Sequence, residues 1–226
     1  IAPDWYGFGR SDKPVLDETY TFHFHRNMML SFLRSLDLKN INLVVQDWGG
    51  LLGLTLPMAT PKRFKRILIM NTTLAVSSSF GDGFNKWRAY SNANPDLNIA
   101  SLMKRTTPIL SEAEAQAYAA PFPDITYKAG VRRFPQMVMT EQSMEGVNTS
   151  KKSIKYLKET WCGESFMAVG MKDPVLGSKV MEALRTNIKG CPRPMKMVEV
   201  GHFVPEWGWK NCANCFNTLG SVFINI

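Results

Sequence analysis

Between Tyr20 and Leu38 apolar residues recur at helical spacing, at Phe24, Met28, Leu30, Phe32, Leu33 and Leu36. That rhythm predicts a helix with one buried face, ending near Asp37-Leu38-Lys39-Asn40. Ile41-Asn42-Leu43-Val44-Val45 follows, a short β-branched run that predicts a buried parallel strand stopping at Gln46-Asp47-Trp48-Gly49-Gly50. A helical stretch from Leu51 to Met58 closes at Pro61, and Arg66-Ile67-Leu68-Ile69-Met70-Asn71 predicts a second buried strand. Strand, tight turn, helix and strand make a βαβ unit.

From about residue 75 to 160 the pattern changes to Ser, Asn, Pro and aromatic residues mixed with helical pieces. Ser111-Glu112-Ala113-Glu114 has the spacing of a capping box, in which a Ser side chain and a Glu three residues on satisfy each other's backbone N–H groups. This stretch predicts an inserted helical cap. The βα rhythm then resumes with a strand at Phe166–Gly170, a helix at Ser178–Ile188 and a strand at Met195–Val200. The expected organisation is a first core segment at 1–74, the cap at 75–160, a second core segment at 161–208, and an atypical tail at 209–226.

Composition changes this picture little. The chain has 226 residues, 45% hydrophobic and 20% charged, enough apolar material for a sizeable core. No apolar run approaches the roughly 20 residues needed to span a bilayer. The net charge of +8 is spread over separated positions such as Lys62, Arg63, Lys65, Arg66, Arg132 and Arg133, with no run of five and no interleaved aromatics. A solvated surface accounts for it, so neither nucleic acid nor membrane is expected as a partner. Four cysteines (Cys162, Cys191, Cys212 and Cys215) are too sparse for a disulfide framework, which favours a reducing, cytoplasmic setting. Cys212-x-x-Cys215 has no second pair to complete a zinc site, and His23 and His25 are two apart on a helix, facing different sides. No metal is expected. Gly7-Phe8-Gly9-Arg10-Ser11-Asp12 begins like a dinucleotide loop but has Asp12 at the third glycine position. Asn71-Thr72-Thr73 and Asn148-Thr149-Ser150 match glycosylation acceptors by chance.

The candidate chemistry lies just after the strands, at Asp47, Asp173 and His202. In open parallel sheets ligands bind outside the carboxyl ends of the strands, so these three can converge. Val45-Gln46-Asp47-Trp48-Gly49 has the shape of a nucleophile elbow, a strand turning sharply into a helix with one side chain exposed at the turn. The plain alternative is that Asp47 merely caps a helix. A carboxylate is already ionised at pH 7 and needs no base to become a nucleophile.

Gln46-Asp47-Trp48-Gly49-Gly50, Gly170-Met171-Lys172-Asp173, Gly201-His202-Phe203-Val204 and Ala119-Ala120-Pro121-Phe122-Pro123 together resemble the haloalkane dehalogenases, over residues 1 to about 208. The resemblance implies an α/β-hydrolase fold: a mostly parallel sheet flanked by helices, with the inserted cap and with the family's first strands missing from this stretch. It implies that Asp47 attacks the halogen-bearing carbon, that Asp173 and His202 complete the triad, and that Trp48 and Trp87 bind the halide. Leu51, Phe134, Pro135, Val138, Val175, Leu176 and Phe203 fall where the family's pocket wall lies. The implied partners are a small apolar halogenated substrate, water and a halide ion. It implies no cofactor and a monomer.

Two departures accompany the resemblance. The family's His-Gly-x-Pro oxyanion segment is not in this sequence, and Trp209-Lys210-Asn211-Cys212-Ala213-Asn214-Cys215-Phe216 stands where an amphipathic final helix is expected. On that reading the chain is shortened at its start and altered at its end, and these 226 residues alone would not fold cooperatively. The alternatives are an epoxide hydrolase of the same fold, which would use cap tyrosines such as Tyr118 and Tyr127, and an inactive fragment of such an enzyme.

Overall fold

Thr21 starts the first helix by accepting the Phe24 N–H on its hydroxyl at 3.1 Å, satisfying one of the free N–H groups of the opening turn. The helix, α1 (Phe22–Ser35), buries Phe22, His25, Leu30 and Leu33 on one face. The computed structural model describes residues 1–77 and 81–211, with backbone alone for 208–211. After α1 come four strands, β1 (Ile41–Gln46), β2 (Phe64–Met70), β3 (Glu164–Gly170) and β4 (Met195–Met197). They form one parallel sheet in the order β1-β2-β3-β4. Parallel neighbours need crossovers, and helices supply them. The helices α2 (Trp48–Gly53) and α3 (Leu56–Ala59) join β1 to β2, and α9 (Ser178–Arg185) joins β3 to β4. Between β2 and β3 lie α4 (Gly81–Ala93), α5 (Ile99–Thr106), α6 (Glu112–Ala119), α7 (Ala129–Met137) and α8 (Val147–Glu159), and α10 (Val204–Asn211) follows β4. Among the described residues no helix is long and apolar enough to cross a membrane.

Two compact units divide the chain. Among the described residues, the first joins 1–37, 75–105 and 110–152, and the second joins 38–74, 106–109 and the residues from 153 onward. In the first, Tyr20, Phe22, Leu110 and Met139 are fully buried, and the capping box at the start of α6 is complete, with Ser111 accepting from Glu114 N–H and Glu114 accepting from Ser111 N–H. The second unit contains the sheet. Leu52, Leu54, Ile67, Ile69, Met167, Val169 and Met181 form its water-free centre, with β2 and β3 carrying the near-continuous apolar runs expected of strands covered on both faces.

Two strand expectations are corrected. β1 is not fully buried: Val44 is 55% exposed while Val45 is buried, because successive side chains point to opposite faces and only the Val45 face is covered. β4 stops at Met197 rather than Val200, because the Val200 N–H donates back to the Met197 carbonyl at 3.2 Å and turns the chain. The atypical tail lies outside the described residues from Cys212 onward, including Cys212 and Cys215.

Candidate active site

Each of the four parallel strands delivers a polar side chain just past its carboxyl end: Asp47 after β1, Asn71 after β2, Asp173 after β3 and His202 after β4. Asp47 takes φ 49° and ψ −124°, a left-handed conformation unusual for a residue with a Cβ. Neighbours hold it there. The Asp47 N–H donates to the Asn71 carbonyl at 3.0 Å, and the Thr72 hydroxyl donates to the Asp47 carbonyl at 2.6 Å. A Cβ on Gly50 would sit 2.1 Å from Thr72 Oγ1, so the first turn of α2 packs this closely only because residue 50 is glycine. The helix-cap reading of Asp47 fails, since its side chain makes no capping bond. That side chain is 40% exposed.

The Asp47 carboxylate lies 3.5 Å from His202 Nε2, and His202 Nδ1 lies 2.7 Å from Asp173 Oδ2. Asp173 is fixed by further donors. Val175 and Leu176 give their N–H groups to Oδ1 at 2.8 and 3.0 Å, and the Asn71 amide donates to Oδ2 at 2.8 Å. Burial alone would raise the Asp173 carboxyl, but the bonds from His202, Asn71 and Leu176 and the charge of His202 outweigh it and hold the group below its ordinary range. For His202, burial works against the charged form, yet the bond to Asp173 and the charges of Asp47 and Asp173 prevail and raise its pKa.

Two contributors had no assigned role in the sequence reading. Asn71, fully buried, accepts the Gly170 N–H on its side-chain oxygen at 2.8 Å and donates to the Gly170 carbonyl at 3.1 Å, tying the end of β2 to the end of β3. A glycosylation acceptor could not be so enclosed. Gln46 places its amide nitrogen 3.0 Å from His202 Nε2. The available signal for both was a polar residue closing an otherwise apolar strand, where parallel sheets collect ligands.

The other expected residues are distributed between the units. Trp48, half-buried, opens α2 beside Asp47; Leu51 and Leu176 are buried in the same unit, Val175 is half-buried, and the Phe203 ring stands edge-on to His202 at 4.9 Å. Trp87 lies on α4 in the first unit, 6.3 Å from Tyr90. Phe134 and Pro135 are buried on α7 and Val138 ends it, with Phe134 packed on Trp5, Phe8 and His25. The ring nitrogens of His25 face the Thr21 and Tyr6 carbonyls at 3.0 and 3.2 Å, a structural use of that histidine. Tyr118 and Tyr127 are 37% and 43% exposed.

A parallel sheet whose strand ends assemble a carboxylate on a left-handed elbow, a histidine and a buried second acid defines a hydrolase of the α/β type. The family model for the alpha/beta hydrolase fold matches residues 1–208. Among curated relatives, the haloalkane dehalogenase of Psychrobacter cryohalolentis is 39% identical over 91% of this chain and 69% of its own length, and that of Mycolicibacterium paratuberculosis is 33% identical over the same shares. The tetrameric haloalkane dehalogenase DpaA from Paraglaciecola agarilytica superposes with a TM-score of 0.90 at 48% identity, covering 92% of this chain and 70% of that one. The chain belongs to the haloalkane dehalogenases.

Proposed function

We propose that Asp47, His202 and Asp173 carry out hydrolytic dehalogenation of haloalkanes in two steps, a reading supported above all by the 3.5 Å and 2.7 Å contacts that chain the three groups together. An Asp47 oxygen attacks the halogen-bearing carbon; a C–O bond forms, the carbon–halogen bond breaks, and the halide leaves with the bonding electrons. The product is a neutral alkyl ester on Asp47. His202 Nε2 then takes a proton from water, whose oxygen adds to the ester carbonyl; collapse expels the alkoxide, which takes that proton from His202, and the Asp47 carboxyl left behind gives its own proton to solvent, so that one H+ is released with each halide. Asp173 orients the ring and stabilises the transient imidazolium. The epoxide hydrolase alternative is not favoured by the relatives found.

A halide leaving in an apolar setting is stabilised by neutral N–H donors, which do not neutralise Asp47 as a cationic side chain would. Trp48 is proposed for this role on its position next to Asp47, and Trp87 on the family resemblance. Leu51, Val175, Leu176 and Phe203 are proposed to shape the apolar surroundings of the substrate, together with Phe134, Pro135 and Val138 on the same resemblance. The working unit is proposed to be a monomer, whose one chain carries a whole triad and needs no residue from a partner, in the reducing compartment that its sparse cysteines favour; a tetramer in light scattering would overturn the first part.

The division of labour gives the test. His202→Gln, mixed with 1,2-dibromoethane, should release about one bromide per site and stop, leaving an alkyl adduct on the peptide containing Asp47. Asp47→Asn should give neither burst nor adduct, with mass checked for hydrolysis back to Asp. An adduct elsewhere, or no bromide from His202→Gln, would sink the assignment.

A further inference from the structure

The Gln46 amide bears on the protonation pattern of the triad. Its nitrogen lies 3.0 Å from His202 Nε2 and 3.2 Å from the carbonyl oxygen of the same residue. A carbonyl oxygen only accepts, so the end of the amide that faces it is the NH2 group. The same NH2 group faces Nε2, and an amide nitrogen donates rather than accepts, so Nε2 presents its lone pair. In the neutral ring this pattern puts the proton on Nδ1, 2.7 Å from Asp173 Oδ2 as acceptor.

Charge opposes this pattern. Asp47 lies 3.5 Å from Nε2 and Asp173 2.7 Å from Nδ1, and two flanking carboxylates favour the imidazolium. An imidazolium has no lone pair with which to deprotonate water. Its Nε2–H would point at the Gln46 N–H, donor against donor, unless one of the two moved away. The amide and the carboxylates thus compete for the state of one nitrogen.

We infer that Gln46 is a positioning residue that holds His202 as the neutral Nδ1–H tautomer by donating to Nε2, and that the water attacking the alkyl ester takes over this lone pair from the amide. The inference rests on His202 being the base for ester hydrolysis. It also explains a pairing of neighbours along the chain. As the last residue of β1, Gln46 addresses the histidine, and the next residue, Asp47, turns through the elbow to address the substrate.

The pH dependence of ester hydrolysis, followed in single turnovers after the bromide burst, tests it. Losing one hydrogen bond to the neutral form should move the acid limb of Gln46→Leu up by ~0.5–1 pH unit, so that hydrolysis is several-fold slower near pH 6 and recovers at alkaline pH. Gln46→Glu keeps the size of the side chain but replaces the donor with an ionised acceptor, and should move the limb further in the same direction. Uniform slowing at all pH values with an unmoved midpoint, or a shift to lower pH, would overturn the inference. Nitrogen NMR of the histidine ring in the unmodified protein, recorded at alkaline pH above the His202 titration, should show Nδ1–H with an unprotonated Nε2, and the opposite tautomer would equally refute it. His202→Gln separates the two readings: if it accumulates no ester, the base assignment fails whatever Gln46 does, whereas accumulation of ester with unmoved limbs in the Gln46 variants defeats the Gln46 inference alone.

Discussion

At the scale of single residues, Asn71 does several things with one side chain. It accepts from the Gly170 N–H, donates to the Gly170 carbonyl and donates to Asp173, at full burial and with φ 22°. Asn tolerates positive φ better than most residues with a Cβ. Replacing it with Leu removes the partner of a buried N–H and one donor to a buried carboxylate, and each unsatisfied buried group costs about 1–3 kcal/mol. Urea denaturation of Asn71→Leu should therefore show a loss in that range or above, and hydrolysis of the ester should slow because Asp173 loses a support that keeps it ionised. Wild-type stability in Asn71→Leu would contradict the bonding described. Cys191 illustrates a contrasting environment: burial pushes its thiol up to about 11, which makes it an inert core residue rather than a second nucleophile.

At the scale of elements, the elbow between β1 and α2 depends on close approach. Gly50 lets α2 reach Thr72, and Thr72 in turn holds the Asp47 carbonyl. A methyl group at position 50 would have to displace Thr72 side-chain atoms lying 2.1–2.5 Å away. Gly50→Ala should destabilise the protein by about 1–3 kcal/mol, as overpacking does, and should slow the bromide burst itself because the clash bears on Asp47, the proposed nucleophile. Thermal melting and burst kinetics of one preparation check both, and an unchanged burst would show that the elbow does not depend on this contact. A similar closeness joins β3 to the loop bearing His202, where a Cβ on Gly170 would lie 2.0 Å from the Gly201 carbonyl oxygen. By contrast, Ser111→Ala at the start of α6 should cost about 1 kcal/mol and leave ester hydrolysis untouched.

At the scale of the whole molecule, the Asp173–His202 pair links folding to pH. The Asp173 carboxyl is depressed in the folded chain, so its contribution to stability is complete above the ordinary value of 3.8 and fades as pH falls through the lower folded value. His202 is raised, so its contribution is complete below the ordinary value of 6.5 and fades as pH rises through the higher folded value. Between those flanks the pair stabilises most. Melting temperature plotted against pH should therefore lose height on both sides, and Asp173→Asn should flatten both flanks while lowering the maximum. An Asp173→Asn profile parallel to the wild type at every pH would show that the pair carries no linkage.

Periodicity and local spacing were enough to place α1, the strands β1 to β3, the α6 capping box and the elbow, because helical rhythm, caps and apolar strand runs are written in neighbouring residues even where the pairing partners lie far away, as β2 and β3 do. Asp47, Asp173 and His202 could be named for a related reason: each closely follows a strand, and parallel strands bring such positions to one edge of the sheet. Other features depend on pairings across long separations. Val44 is exposed because the face of β1 that it points from is uncovered in the described residues, while Val45 on the other face is buried. Asn71 and Gln46 are ordinary polar residues in the sequence. Their roles arise from partners 99 and 156 residues away, Gly170 and His202, and only the folded sheet sets those partners within hydrogen-bonding distance. Local sequence marked the groups proposed to react, and tertiary structure decided which donors face them, since a hydrogen bond between strand ends leaves no periodic trace along the chain.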